Sequence, residues 1–448
     1  MSRRVFLVLM PILLGIVLAG PAGAETPNEG SIRAARATPV GRTVLPNGLV
    51  VLVTENPAED IVALELLIRV GLADEKGPIA GITNIVQRIL RDRISKNDKG
   101  KDRLESIGSL MKVSAEPDYA RISLQTTSAC FPEVLGYVAA ALSDRTINPE
   151  ETAEIQKEMA RDFKDSSPAF PQLYEIFRQS FYRYHPYRNS DRGSELAVER
   201  LDPKAIEDFF SRYYAPNRMV LSIAGRVDRT TVLERIRKEF GPLSPGDDQV
   251  VEVPWEPKAT EKQVHLSANS SIAWLFVGFP APSVNDADYA AMTLLHALLG
   301  EGLSSRLFIE IREKKGLAYE LGALYPPLRG PSHMLTYIIT KPYDAGKAKN
   351  TLFEQIERLK NERVPVQELE ESRRKVVGNY LLERETNRGK AFSVALAETI
   401  GVGYEYDLNF LQEIERVTPA EVQSVARRYL DNYTLVVARP GGRLYLDL

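Results

Sequence analysis

The sequence predicts an α+β protein made of two homologous halves joined by a linker, and three observations carry that expectation. The chain has 448 residues, about twice what one domain ordinarily takes. Apolar strand segments and amphipathic helical segments follow one another in the same order twice. The recurrence can be checked at a constant offset, where Arg200-Leu-Asp-Pro203 answers Arg416-Val-Thr-Pro419 and Arg212-Tyr213 answers Arg428-Tyr429, each copy running into a strand. An Asp or Thr before Pro is ordinary helix-start chemistry. The shared Arg-Tyr register and the strand that follows are not.

The elements follow in order. Arg3 and Arg4 precede an apolar run from Val5 to Ala19, and Ala22-Gly23-Ala24 has the A-x-A form of a signal-peptidase site. Residues 1–24 therefore read as a secretory signal peptide, since about 15 apolar residues are short for a bilayer span. Its removal takes away Arg3 and Arg4 and no acid, leaving 55 basic against 60 acidic residues. No cysteine follows the apolar run to take a lipid, and a body with Cys130 as its one cysteine suits a bacterial periplasm. Residues 25–37 are polar and small, a tether. Thr43 to Val53 reads as two short strands around Pro46-Asn47-Gly48, the Asn-Gly pair being favoured in a tight hairpin turn where positive φ is needed. The apolar stretch Ile61 to Val70 suits a central strand, and helical spacing marks Ile79–Ile94, Phe131–Leu142, Glu150–Phe163 and Pro171–Tyr182. Met219–Ala224 is a further strand. Leu243 to Lys258, rich in Pro, Gly and Asp, has linker composition, so the halves are expected at 38–244 and 259–448 around a linker at 245–258. In the second half, Ile272–Val277 and Thr434–Ala438 read as strands, and Ala287–Leu299, Ala345–Leu359 and Val366–Leu382 as helices.

Composition removes several functions. With 57 Lys+Arg against 60 Asp+Glu there is no basic surplus for a phosphate backbone. One cysteine excludes a thiolate zinc cluster, and four histidines, at 185, 265, 296 and 333, leave little imidazole for a metal. Gly300-Glu-Gly302 lacks a following Gly-Lys-Ser/Thr and reads as a turn, not a phosphate cradle. Lys314-Lys315 and Arg373-Arg374-Lys375 read as charged helix faces. Cys130 reads as a small buried residue. Glu154, Lys157, Glu158 and Arg161 have the spacing of a solvated, ion-paired face.

Several motifs stand in a meaningful order: Leu45-Pro-Asn-Gly-Leu49, Ala80-Gly81-Ile82, Tyr184-His185-Pro186-Tyr187, Tyr214-Ala-Pro-Asn217, Gly302-Leu-Ser-Ser-Arg306-Leu-Phe308, and the stretch LFIEIREKKGLAY from Leu307 to Tyr319. On these the chain resembles the insulinase/pitrilysin family of zinc peptidases, the inverzincins, and among them the short two-domain processing-peptidase-like subfamily. The resemblance covers nearly all of the chain beyond the signal peptide. It implies two processing-peptidase-like domains, each a mostly antiparallel sheet with helices packed on it.

An active member of that family carries His-x-x-Glu-His after the Ala-Gly, because imidazoles four residues apart share a helix face and can share a zinc, with the Glu deprotonating the metal-bound water. The matching positions here are Asn84, Gln87 and Arg88. Carboxamides are poor zinc ligands and a guanidinium has no lone pair to give. The third family ligand is a Glu on a later helix, and the resemblance places Phe163 there, with Asp162 beside it. No zinc is expected in this chain. In the second half the family supplies an Arg and a Tyr that bind the substrate backbone and the oxyanion, and Arg312 and Tyr319 stand at that spacing. Such donors stabilise charge that grows on the carbonyl oxygen, and losing one typically costs on the order of 3 kcal/mol. Neither can generate a nucleophile. The resemblance therefore implies a heterodimer with a zinc-bearing paralogue and peptide or unfolded polypeptide as substrate. Two other readings stay open: a peptide-binding or chaperone-like protein, and a structural subunit of a larger assembly, as the respiratory-complex core proteins of this family are.

Overall fold

The computed structural model describes residues 39–75, 79–96, 102–164, 170–246, 261–268, 270–441 and 445–447. The predicted signal peptide, tether and most of the predicted linker lie outside these residues. Two six-stranded mixed sheets form the scaffold. The first contains β1 (Val40–Val44), β2 (Val50–Glu55), β3 (Ile61–Ile68), β4 (Leu110–Ala115), β5 (Ala120–Thr127) and β6 (Met219–Gly225), ordered β1-β2-β6-β3-β5-β4. The second contains β7 (Lys262–Ala268), β8 (Ala273–Ala281), β9 (Glu320–Leu324), β10 (Ser332–Thr340), β11 (Thr434–Pro440) and β12 (Tyr445–Asp447), ordered β12-β7-β11-β8-β10-β9. In both, the late strand slots in beside the early one in parallel, β6 along β2 and β11 along β7, while the other pairings are antiparallel. The repeat seen in sequence has matching structure: the helices Pro203–Tyr213 and Pro419–Tyr429 occupy equivalent places before β6 and β11. Asp202 caps the first, and Thr418 with Glu421 forms a capping box on the second.

The central strands are apolar nearly throughout because both faces of each sheet are covered. On β3, Val62, Leu64, Leu66 and Ile68 face the first half's own helices, whereas Ala63 and Leu67 face the other way. That second face is covered by a helix from the far half, Asn387–Ile400, whose Ala391, Val394 and Ala395 meet Val50, Leu52, Ala63, Leu67, Val220 and Ala224. The exchange is reciprocal. Helix Phe170–Phe181 of the first half lays Leu173 and Phe177 on the outer face of the second sheet, against Val264, Leu266, Phe276, Leu335 and Val436. Gly278 on β8 is required by this approach, since a Cβ there would stand 2.1 Å from the Phe177 ring. His333 on β10 is clasped by the phenols of Tyr174 (2.9 Å) and Tyr182 (2.7 Å), and burial, with Arg178 nearby, pushes its imidazole down to about 3, so it stays neutral.

One expectation is met and one changes. The hairpin around Pro46-Asn47-Gly48 forms, with the Gly48 N–H donating to the Leu45 carbonyl (2.9 Å). The connection runs from Leu45 to Leu49, with Gly48 at φ +86° and the Asn47 amide donating to the carbonyls of Phe240 and Leu243, so the turn is set by contacts far along the chain. Cys130 is half-buried, at the start of helix Phe131–Ser143, rather than fully inside.

If the reciprocal helices are what bind the halves together, Phe177→Ala should lower the unfolding free energy by about 3–5 kcal/mol, as for a buried aromatic. Equilibrium chemical denaturation measures this. A loss of about 1 kcal/mol or less, ordinary for a surface position, would contradict that role.

Candidate functional site

The first group of candidate residues lies on helix Ile82–Ser95. Its entry is fixed by Gly81 at φ +92°, where a Cβ would come within 2.9 Å of the Arg192 carbonyl oxygen, which accounts for glycine in the Ala80-Gly81 pair. No side chain caps the helix from the preceding position. The acceptor is supplied from a distance: buried Glu75 takes hydrogen bonds from the backbone N–H groups of Gly81 (2.8 Å) and Thr83 (3.0 Å). Burial nonetheless pushes the Glu75 carboxyl up to about 7, with Asp191 adding a smaller repulsion. Sequence reading missed this residue because its signal, an acid at the end of a strand-loop segment, is not specific.

Asn84 and Arg88, one turn apart, share the face that looks toward helix Pro149–Lys164. The Arg88 guanidinium donates from Nε to Asn84 Oδ1 (2.8 Å), from Nη1 to Glu158 Oε1 (2.6 Å) and from Nη2 to Asp162 Oδ2 (2.7 Å). Arg91, a turn further on, grips Glu158 bidentately at 2.9 and 2.8 Å. Arg91 foremost, with Arg88, holds the Glu158 carboxyl below the usual carboxylate range. Asn84 Nδ2 donates to the Asp191 carbonyl (3.3 Å), and Gln87, buried, donates to the Tyr214 hydroxyl (3.1 Å).

The side chains of helix Pro149–Lys164 that meet Arg88 are Glu158 and Asp162, while Phe163 packs on the first half's core with the Arg192 guanidinium near its ring. Helical geometry accounts for this: 158 and 162 are one turn apart and share a face, and 163 is rotated about 100° from 162. Nor is Glu158 part of a merely solvated face, because its ion pairs cross to another helix. Among the described residues, no group of three or more His, Cys, Asp or Glu could hold a metal ion.

The second group lies in the other half. Arg312 sits in a π-helical turn, Phe308–Glu313, closed by the Lys314 N–H donating to the Ile309 carbonyl (2.9 Å). Arg306 forks onto Glu368 (2.6 and 2.8 Å), Lys315 donates to Thr351 (2.9 Å), and Tyr319 N–H donates to the Ile339 carbonyl (2.8 Å), so the segment is anchored at both ends. Arg312 and Tyr319 are both exposed, Tyr319 at 52%. Among the described residues no hydrogen bond or ring contact links either to positions 84, 87 or 88. Tyr319 leads into β9, an edge strand. The charged faces singled out in sequence are partly structural: Arg373 donates to the carbonyls of Ile414 (3.0 Å) and Val417 (2.7 Å), and Lys375 to that of Glu301 (2.7 Å). Gly302, at φ +72°, is in a turn.

Comparison with known proteins agrees with this geometry. Residues 200–376 match the family model described as the peptidase M16 inactive domain. Over that stretch, and in its fold, the chain is similar to M16-family (insulinase/pitrilysin) peptidases. It is 28% identical over 286 residues to the zinc protease PqqE of Helicobacter pylori, covering 61% of this chain and 64% of that one. It is 23% identical over 417 residues to an uncharacterized zinc protease of Mycobacterium tuberculosis, covering 90% and 93%. Among solved structures, a protease from Helicobacter pylori superposes with a TM-score of 0.82 at 22% identity, covering 90% and 100% of the two chains. A peptidase M16 inactive domain from Pseudomonas fluorescens gives 0.78 at 22%, covering 90% and 98%. These likenesses establish the two-lobed M16 fold.

The raised Glu75 carboxyl has a definite pH signature. Its folded value lies above its unfolded value near 4.5, so its contribution is fully present below 4.5 and is lost as pH rises through about 7. The difference in unfolding free energy between wild type and Glu75→Gln should therefore shift by on the order of 3 kcal/mol from pH 4.5 to pH 8, in the direction that weakens wild type. Urea titrations across that range test it, and a difference independent of pH would contradict the assignment.

Proposed function

We propose that this chain is the non-zinc subunit of a two-chain peptidase, exported to the periplasm, and that it presents Arg312 and Tyr319 to a peptide held against a zinc-bearing paralogue. The observation that carries this reading is a contrast between the two lobes. Asn84 and Arg88 are engaged by their neighbours and the buried Gln87 amide donates to Tyr214, whereas the guanidinium of Arg312 and the phenol of Tyr319 are exposed on a segment anchored at both ends. A fixed phenol and guanidinium orient a peptide carbonyl and stabilise negative charge on its oxygen. They cannot activate water. That step belongs to the partner, and the residues of this chain that match the family's metal positions do not fit zinc.

Peptide rather than folded protein is the expected substrate, because the sheets end in edge strands with backbone groups available for an added strand. Among the described residues β4 pairs only with β5, and it carries Leu110, 68% exposed, at its start. The same edge also supports the second reading, in which the chain captures peptides without cutting. No helix among the described residues is long and apolar enough to cross a membrane.

Tyr319→Phe should lower peptide cleavage by the mixed subunits about 100-fold or more in kcat, while the assembly runs unchanged on size exclusion. Unchanged turnover refutes the role given to Tyr319. For the capture reading, the chain alone should release or absorb heat on titration with an unstructured peptide library, and a flat calorimetric trace counts against it.

A further inference from the structure

The family's zinc would lie between positions 84 and 88 and the facing helix, and in this chain that space holds the guanidinium of Arg88. It reaches Asn84 on its own helix and Glu158 and Asp162 on helix Pro149–Lys164. We infer that Arg88 is a built-in cation, doing for these two helices what a bound metal does elsewhere, so that the lobe is closed to divalent ions and its stability is independent of them.

Charge, geometry and coordination chemistry each support this. A planar guanidinium carries five N–H donors, and Arg88 directs three of them to three separate oxygens on two helices, as a metal gathers ligands from different elements. Its side chain is only 15% exposed, so it is largely withdrawn from water as a bound ion would be. Glu158 is also saturated: one oxygen takes bonds from both Arg88 and Arg91, and the other takes one from Arg91. A zinc ion arriving here would meet an amide oxygen already accepting a hydrogen bond, a carboxylate shared by two arginines and a fixed positive charge at the point of coordination. Each repels or fails to bind it. This inference stands apart from the role of Arg312 and Tyr319, because its test reads metal and stability and involves no peptide.

The test uses the full chain, dialysed against chelator and titrated with zinc chloride by calorimetry, with thermal unfolding followed in parallel. Wild type should take up no stoichiometric zinc, and its midpoint should not move with chelator or with zinc. Arg88→Ala should lower the midpoint, and Arg88→Lys, a point charge without the fork, should restore it only in part. Asn84→His combined with Gln87→Glu and Arg88→His should bind one zinc per chain and unfold at a higher temperature with zinc than without. Adding Glu158→Gln to that combination should weaken the uptake at least ~10-fold, as loss of a metal-site partner does. Stoichiometric zinc in wild type, a midpoint lowered by chelator, or a folded triple variant that ignores zinc would each overturn the inference. If the triple variant does not fold, the wild-type titration and the Arg88→Ala and Arg88→Lys midpoints decide it.

Discussion

The fork that Arg88 makes between helix Ile82–Ser95 and helix Pro149–Lys164 is the constraint on which the functional reading turns. An imidazole at this place could give a lone pair to a metal. A guanidinium only donates, and stays charged at any pH the protein meets. Once Arg88 has committed donors to Asn84, Glu158 and Asp162, and Arg91 has taken both oxygens of Glu158, these acids are fully occupied within the lobe. What is left for chemistry is what the other lobe displays.

That display depends on the way the halves are joined. Each sheet is sealed on one face by a helix of the other half, so separating the halves exposes Val50, Leu52 and Val220 on one side and Val264, Phe276 and Val436 on the other. The two seams differ in character. One is aromatic and buries a neutral His333 between tyrosines. The other is built from small residues and carries a buried ion pair, Glu65 gripped by Arg121 at 2.8 and 2.9 Å, with the guanidinium 3.7 Å from the centre of the Phe392 ring. Both hold through contacts distant in sequence, which makes the second lobe a rigid base for Arg312 and Tyr319.

Much of this was legible in the amino-acid order. Strands that are apolar on both faces, such as Ile61–Ile68, announce themselves, and the two Pro-initiated helices are matched to the residue because cap and proline chemistry is local. Helix Asn387–Ile400 was not identified: its buried stripe is largely alanine, and what it covers lies between about 170 and 345 residues away, so periodicity carries little signal. The pairing of Arg88 with Glu158 and Asp162 was not foreseen for a related reason. A single sequence gives the face of a helix only modulo its phase. The clue was present all the same, as two acids one turn apart, Glu158 and Asp162, on one helix and Asn84 and Arg88 one turn apart on the other. Glu75 could not be read at all, since its role comes from burial against a helix start formed by a later segment.

The central claim is a division of labour between a lobe without metal and a partner that has it. The direct measurement is zinc content, taken on the native assembly purified from its source through this chain and again on this chain expressed alone. The account predicts zinc and peptide cleavage in the assembly, with a second, zinc-binding polypeptide present, and neither in the isolated chain. An isolated chain that carries stoichiometric zinc and cuts peptides, or a native assembly without a second polypeptide, would contradict it.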